Sequence, residues 1–147
     1  MKVTLFAGAV ALSLTAGAAF ADGHASGDAA AGENVFKQCS SCHVIQSGDE
    51  VLAGRGKTGP NLLGLLGRQA GTVEGFRYGD SIVAAGEAGL VWDEEQFVTY
   101  AADPRKFLQE TLDDNKARSK MSFRVRKPED AADVWAYIVS FEEAATN

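Results

Sequence analysis

The chain is poor in the side chains that build metal-rich and disulfide-rich sites. Its 147 residues hold only two Cys, two His and two Met. Two Cys exclude a disulfide-stapled scaffold and a four-cysteine zinc site. Two His leave little room for a multi-histidine metal centre. Charge is also limited: 23% of residues are Asp, Glu, Lys or Arg, with a formal net charge of −6. That balance excludes a molecule built to coat nucleic acid. The hydrophobic share of 46% is ordinary for a globular domain.

Charge is absent altogether from Val3 to Ala21, after the short positive start Met1-Lys2. This run ends in Ala19-Phe20-Ala21, a small-x-small pattern followed by Asp22. It is expected to be a secretory signal peptide, residues 1–21, cut after Ala21. An uncleaved anchor is the competing reading, since the run approaches the roughly 20 apolar residues that span a bilayer. Ala, Gly, Ser and Thr dilute it, however, and no basic stop follows, so no stable membrane insertion is expected after cleavage. Cleavage leaves Met121 as the single methionine. It also delivers two thiols to an oxidising compartment, the periplasm, where a free pair tends toward disulfide.

Residues 22–27 read as a flexible lead-in and 28–147 as one domain. Asp28 is placed to cap a helix running to about Cys39–Cys42. Eleven of the chain's 16 glycines fall between 48 and 89. Such density predicts wrapping loops, with a short helical turn through Leu62–Leu66. Asp93 and Gln96 form a capping-box pattern for a helix to about Ala102. Asp103-Pro104 opens another to about Leu112, and 113–120 reads as a charged loop. Pro128 starts the last helix, with Ala131, Val134, Trp135, Ile138 and Phe141 on one stripe. No alternation indicates a sheet. A long irregular middle in a compact domain requires an organiser, and a large bound cofactor would supply one.

Cys39-Ser40-Ser41-Cys42-His43 is C-x-x-C-H, the attachment signature of c-type haem. On a helix end the two thiols face one side, so both can join the vinyl groups of one haem, and His43 follows to meet the iron. Attachment also removes the oxidation problem, because both thiols become thioethers. A zinc site would lack ligands, with only His24 left to add, and a thioredoxin-like pair would need a βαβ setting. His24 itself reads as a solvated residue. Met121 is the candidate sixth ligand. A lone Met is commonly core filler, but Lys120 and Ser122 beside it do not make a buried apolar run. Its soft thioether would raise the reduction potential.

Further ordered segments accompany the haem motif: Lys57-Thr58-Gly59-Pro60-Asn61-Leu62, Gly67-Arg68, Gly75-Phe76-Arg77-Tyr78, Trp92, Tyr100, Ser119-Lys120-Met121 and Ala136-Tyr137. With them, the chain resembles the class I c-type cytochromes over nearly all of 28–142, most of all the alphaproteobacterial cytochrome c2 and c550 group. The resemblance implies an all-α, small cytochrome c fold, three to five helices with Gly-rich loops wrapped around one covalently attached haem c. It implies His43 and Met121 as axial ligands, with the Pro60 carbonyl accepting the other N–H of His43. It implies that Arg68, Tyr78, Trp92 and Ser119 surround the haem propionates, that Tyr100 lies near the Met121 sulfur, and that Gly32 and Phe36 meet the last helix near Tyr137. The loop Asp113–Lys120 and the extra sequence around Ile82–Leu90 match the larger bacterial members.

The resemblance further implies a monomeric periplasmic one-electron carrier and not an enzyme. Its partners would be a bc1-type complex, a photosynthetic reaction centre, a terminal oxidase or a periplasmic reductase. The competing class is a five-coordinate haem protein with small-ligand sensing or peroxidase-like activity. Charge supports docking: segment 105–127 carries eight Lys or Arg against Glu110, Asp113 and Asp114, whereas 128–147 carries five acids and no base. The basic stretch flanks Met121 and would steer an acidic partner.

Overall fold

The computed structural model describes residues 25–146. The expected signal peptide and the first half of the expected lead-in, His24 included, lie outside them. Five helices and one small hairpin are described: α1 (Ala29–Phe36), β1 (Val44–Ser47), β2 (Glu50–Gly54), α2 (Asp80–Glu87), α3 (Glu94–Ala102), α4 (Pro104–Leu112) and α5 (Pro128–Thr146). Among the described residues no helix is long and apolar enough to cross a membrane.

The caps lie where the side chains dictate. The Asp28 carboxylate accepts from the N–H groups of Ala30 and Ala31. Asp93 accepts from Gln96 N–H at 2.8 Å, and Asp103 accepts from Lys106 N–H at 3.0 Å. Each satisfies a donor that a helix start leaves orphaned. Pro104 sits in the first turn of α4, where its missing N–H costs nothing.

α5 is the spine of the core. Val134, Trp135, Ile138 and Val139 are all buried. α1 crosses it closely, and a Cβ at Gly32 would overlap the Asp133 carbonyl oxygen. Phe36 meets Tyr137 with ring centroids 5.3 Å apart. α3 packs on α5 through Phe97 and Trp135, whose rings are 5.5 Å apart. Ser26 is tied to Glu94 through both its N–H and its hydroxyl, and Asp28 N–H donates to Asp133 at 2.7 Å.

Four local expectations are corrected. The chain does contain a sheet, the antiparallel pair β1–β2, with an irregularity between Ile45 and Gln46. Only Ile45 is buried in either strand. One inward residue makes no period, so no alternation could announce the hairpin. α1 ends at Phe36, and Cys39–Cys42 lies in turns that continue it. Leu62–Leu66 forms turns and no helix. Finally, α2 stands within the Gly-rich middle. Its Gly86 is a contact residue, since a Cβ there would overlap the Ala70 carbonyl. Glycine at that position reflects close helix–loop approach and not a break in the helix.

Candidate functional site

The turn after α1 presents the attachment motif. Cys39 N–H donates to Phe36 O at 2.8 Å, and His43 N–H donates to Cys39 O at 2.9 Å. These bonds carry helical curvature through residues 39–43 and keep Cys39, Cys42 and His43 on one surface. The two thiols are free and unequal. Burial, reinforced by Cys42, pushes the Cys39 thiol up to about 11. Hydrogen bonds from Thr58 and Ser41 lower that of Cys42.

The His43 ring is oriented by the loop after β2. Its Nδ1 lies 2.9 Å from the Pro60 carbonyl oxygen, so Nδ1 carries the proton and donates. Nε2 is then the ring nitrogen with a free lone pair. Burial lowers the pKa of the ring and so favours its neutral form, an effect partly offset by the Pro60 bond. Asn61 holds the loop in place. Its side chain accepts from the N–H groups of Gln46 and Leu63 and donates to Gln46 O at 2.8 Å. Gly59 lies flat against the imidazole, and a Cβ there would overlap the ring.

Beside this turn lies a cavity of about 260 Å³. All ten candidate site residues line it: Cys39, Cys42, His43, Pro60, Arg68, Tyr78, Trp92, Tyr100, Ser119 and Met121. Met121 N–H donates to Ser119 Oγ at 3.1 Å, and that hydroxyl is 3.2 Å from the Tyr100 hydroxyl. Tyr100 therefore reaches the Met121 loop through Ser119. Arg68 donates to Leu63 O at 2.9 Å and Asn61 O at 3.1 Å. The Tyr78 hydroxyl accepts from Val73 N–H at 3.4 Å. Burial raises the pKa of both Tyr78 and Tyr100, so both phenols remain donors at neutral pH. Trp92 stacks near Phe107 and meets Tyr100 edge-on at 5.2 Å.

The lining also includes residues that sequence reasoning did not assign to the site. Ile82 comes from the unforeseen α2, Phe97 from α3, and Val134 and Ile138 from the α5 stripe. The stripe marked the last two as buried, but not against what. Thr58 touches Cys42; it stands in the Lys57–Leu62 segment that carries the resemblance, but no site role was assigned to it. Phe123 lines the cavity while remaining 40% exposed.

The donor set fits a covalently attached haem. Two thiols stand on one turn, an imidazole nitrogen has its lone pair free, and a thioether lines the same apolar cavity. A guanidinium and two phenols supply the polar donors that buried carboxylates require. Among the described residues no three His, Cys, Asp or Glu side chains gather into a cluster that could hold a bare metal ion.

No family model matches the chain. Individual relatives do. Cytochrome c-551 of Roseobacter denitrificans is 54% identical over 136 residues, 90% of this chain and 92% of the relative. Cytochrome c2 of Rhodovulum adriaticum is 55% identical over 117 residues, 78% of this chain and 93% of the relative. Among solved structures, cytochrome c2 from Rhodobacter sphaeroides superposes with a TM-score of 0.75 at 50% identity, covering 78% of this chain and 95% of that one. Cytochrome c2 from Paracoccus denitrificans gives a TM-score of 0.76 at 40% identity, covering 80% and 98%. The architecture is thus the small all-α cytochrome c fold. The chain belongs to the cytochrome c2 and c-550 family, c-type cytochromes that carry electrons on a covalent haem c.

Proposed function

We propose that the protein is exported, released by cleavage after Ala21, and works in the periplasm as a one-electron carrier whose iron is held by His43 and Met121. The observation that carries the ligand assignment is the His43 ring. Its Nδ1 is committed to Pro60 O at 2.9 Å, which leaves Nε2 free beside a cavity that Met121 also lines. The uncharged run ending in Ala19-Phe20-Ala21 supports export.

The haem supplies the one-electron iron couple. The chain sets its conditions. The Nδ1–H bond to Pro60 fixes the imidazole and raises the basicity of Nε2. Met121 offers a soft thioether, which favours the reduced state. Ser119 holds the Met121 backbone in place. The buried walls, Leu62, Leu65 and Trp92 among them, exclude water and disfavour added positive charge. Arg68 and Tyr78 offer donors for the propionate carboxylates. Two protein ligands leave no open position for a substrate. Arg118 and Lys120 line the cavity, and the exposed Arg126 and Lys127 follow in the chain, a basic stretch suited to an acidic partner. The partner class is a bc1-type complex, a reaction centre, a terminal oxidase or a periplasmic reductase.

The test is the ferric spectrum of the purified holoprotein. A Met–iron charge-transfer band, lost in Met121→Ala, is the expected result. Ready binding of carbon monoxide or peroxide by the unaltered protein would overturn it in favour of a ligand-sensing or peroxidase-like protein.

A further inference from the structure

Glu142, in the last turns of α5, has no part in the ligand set or the cavity wall described above. Its carboxylate nonetheless reaches the segment that carries Arg68. One oxygen, Oε1, accepts from Leu65 N–H at 2.7 Å and from Leu66 N–H at 3.4 Å. Arg68, a few residues on, draws two carbonyls of the same segment onto its guanidinium, Leu63 O at 2.9 Å and Asn61 O at 3.1 Å. The stretch 61–68 is therefore wrapped between two opposite charges. Two of its carbonyls turn to the cation and two of its amides turn to the anion. Both Leu65 and Arg68 line the haem cavity.

The two charges also act on each other. Burial disfavours the charged guanidinium of Arg68, and attraction to Tyr78 first and then to Glu142 works against that penalty. Hydrogen bonds to an ionised acceptor are roughly twice as strong as neutral ones. A carboxylate at this point thus holds the segment and balances the cation with one group.

We propose that Glu142 is a positioning residue of the haem site: it pins Leu65 and Leu66 and supplies a counter-charge to Arg68, and so sets how much positive field the cavity feels. This rests on reading the cavity as the site of a His/Met-ligated haem. Two variants separate the two roles. Glu142→Gln keeps a carbonyl acceptor and removes the charge, whereas Glu142→Ala removes both.

The experiment is native-state amide exchange together with a redox titration of the holoprotein. In Glu142→Ala, exchange at Leu65 and Leu66 is expected to speed up by about tenfold, the effect of losing one charged acceptor. Exchange at Trp135 and Ile138, deep in α5, is expected to stay as in the parent. In Glu142→Gln a smaller acceleration at Leu65 and Leu66 is expected, because a neutral acceptor remains but binds more weakly than the carboxylate. The reduction potential is expected to rise in both variants, because removing a negative charge disfavours the more positive oxidised form. Unchanged exchange at Leu65 and Leu66 in Glu142→Ala would overturn the proposal. So would equal acceleration at Trp135 and Ile138, which would mark a merely structural helix end, or a potential that neither variant moves. The Met–iron band should persist in both variants. Its absence from the parent protein would count against the ligand assignment and not against Glu142.

Discussion

At the scale of single residues, the site depends on where protons and lone pairs are held. Nε2 of His43 keeps its lone pair because Nδ1–H donates to the Pro60 carbonyl, and Pro60 is in reach because Asn61 clamps the loop to β1. The phenols titrate above the range of a solvent-exposed tyrosine. Burial raises the pKa of Tyr78, Tyr100 and Tyr137 above the usual 10.0, with Glu33 adding to the effect at Tyr137. An unfolded chain therefore loses these protons at lower pH than the folded one. Stability that is fully present below about pH 10 is lost as pH rises above it. Denaturant titrations between neutral and strongly alkaline pH check this: the midpoint should fall above pH 10, and less steeply in Tyr137→Phe. An identical alkaline slope in the variant would remove Tyr137 from the account.

At the scale of elements, α2 is the instructive case. Gly86 inside it is unfavourable for helix formation by roughly 0.5–1 kcal/mol relative to Ala. On propensity alone, Gly86→Ala should stabilise. The packing predicts the reverse, because the new Cβ would overlap the Ala70 carbonyl oxygen. Forcing an extra carbon into a tight contact costs about 1–3 kcal/mol, so the net effect is destabilisation. Thermal unfolding gives the sign directly, and a higher midpoint in Gly86→Ala would show that the loop at Ala70 yields. The same element explains why the middle of the chain misleads. Its glycines at 71 and 86 serve helix–loop contacts, whereas Gly48 serves the β1–β2 turn, and composition does not separate these uses.

At the scale of the whole molecule, charge and hydrophobic burial are arranged on different parts of the surface and core. The chain is acidic overall, yet the basic side chains gather in 105–127 around Met121 while 128–147 holds only acids. Just two ion pairs, Lys106–Glu110 at 3.6 Å and Arg124–Asp103 at 3.1 Å, are found among the described residues. Most of the basic stretch thus remains free to act at a distance. Association with an acidic redox partner should slow by roughly tenfold or more from low to physiological ionic strength. Stopped-flow rates measured across that range test it, and a salt-independent rate would contradict a docking role for this face.

What the sequence by itself determined is the chemistry. C-x-x-C-H at 39–43, Met121 as the one methionine beyond Met1, and capped, periodic helices from Asp93 onward are local patterns, and each follows from the residues that compose it. All ten candidate site residues line one cavity, but Pro60, Arg68, Tyr78, Trp92, Tyr100 and Ser119 were legible only through the family resemblance. What only the tertiary structure decided depends on residues distant in the chain meeting. The hairpin has a single buried residue, Ile45, so its pairing leaves no periodic trace. α2 is hidden by glycines whose purpose is a contact made elsewhere. The bonds from Asn61 to β1 and from Glu142 to Leu65 join groups with no mutual signal in the sequence. Hydrogen bonds and close approaches between separate segments form only when the core brings them together, and that core is itself assembled around the cavity.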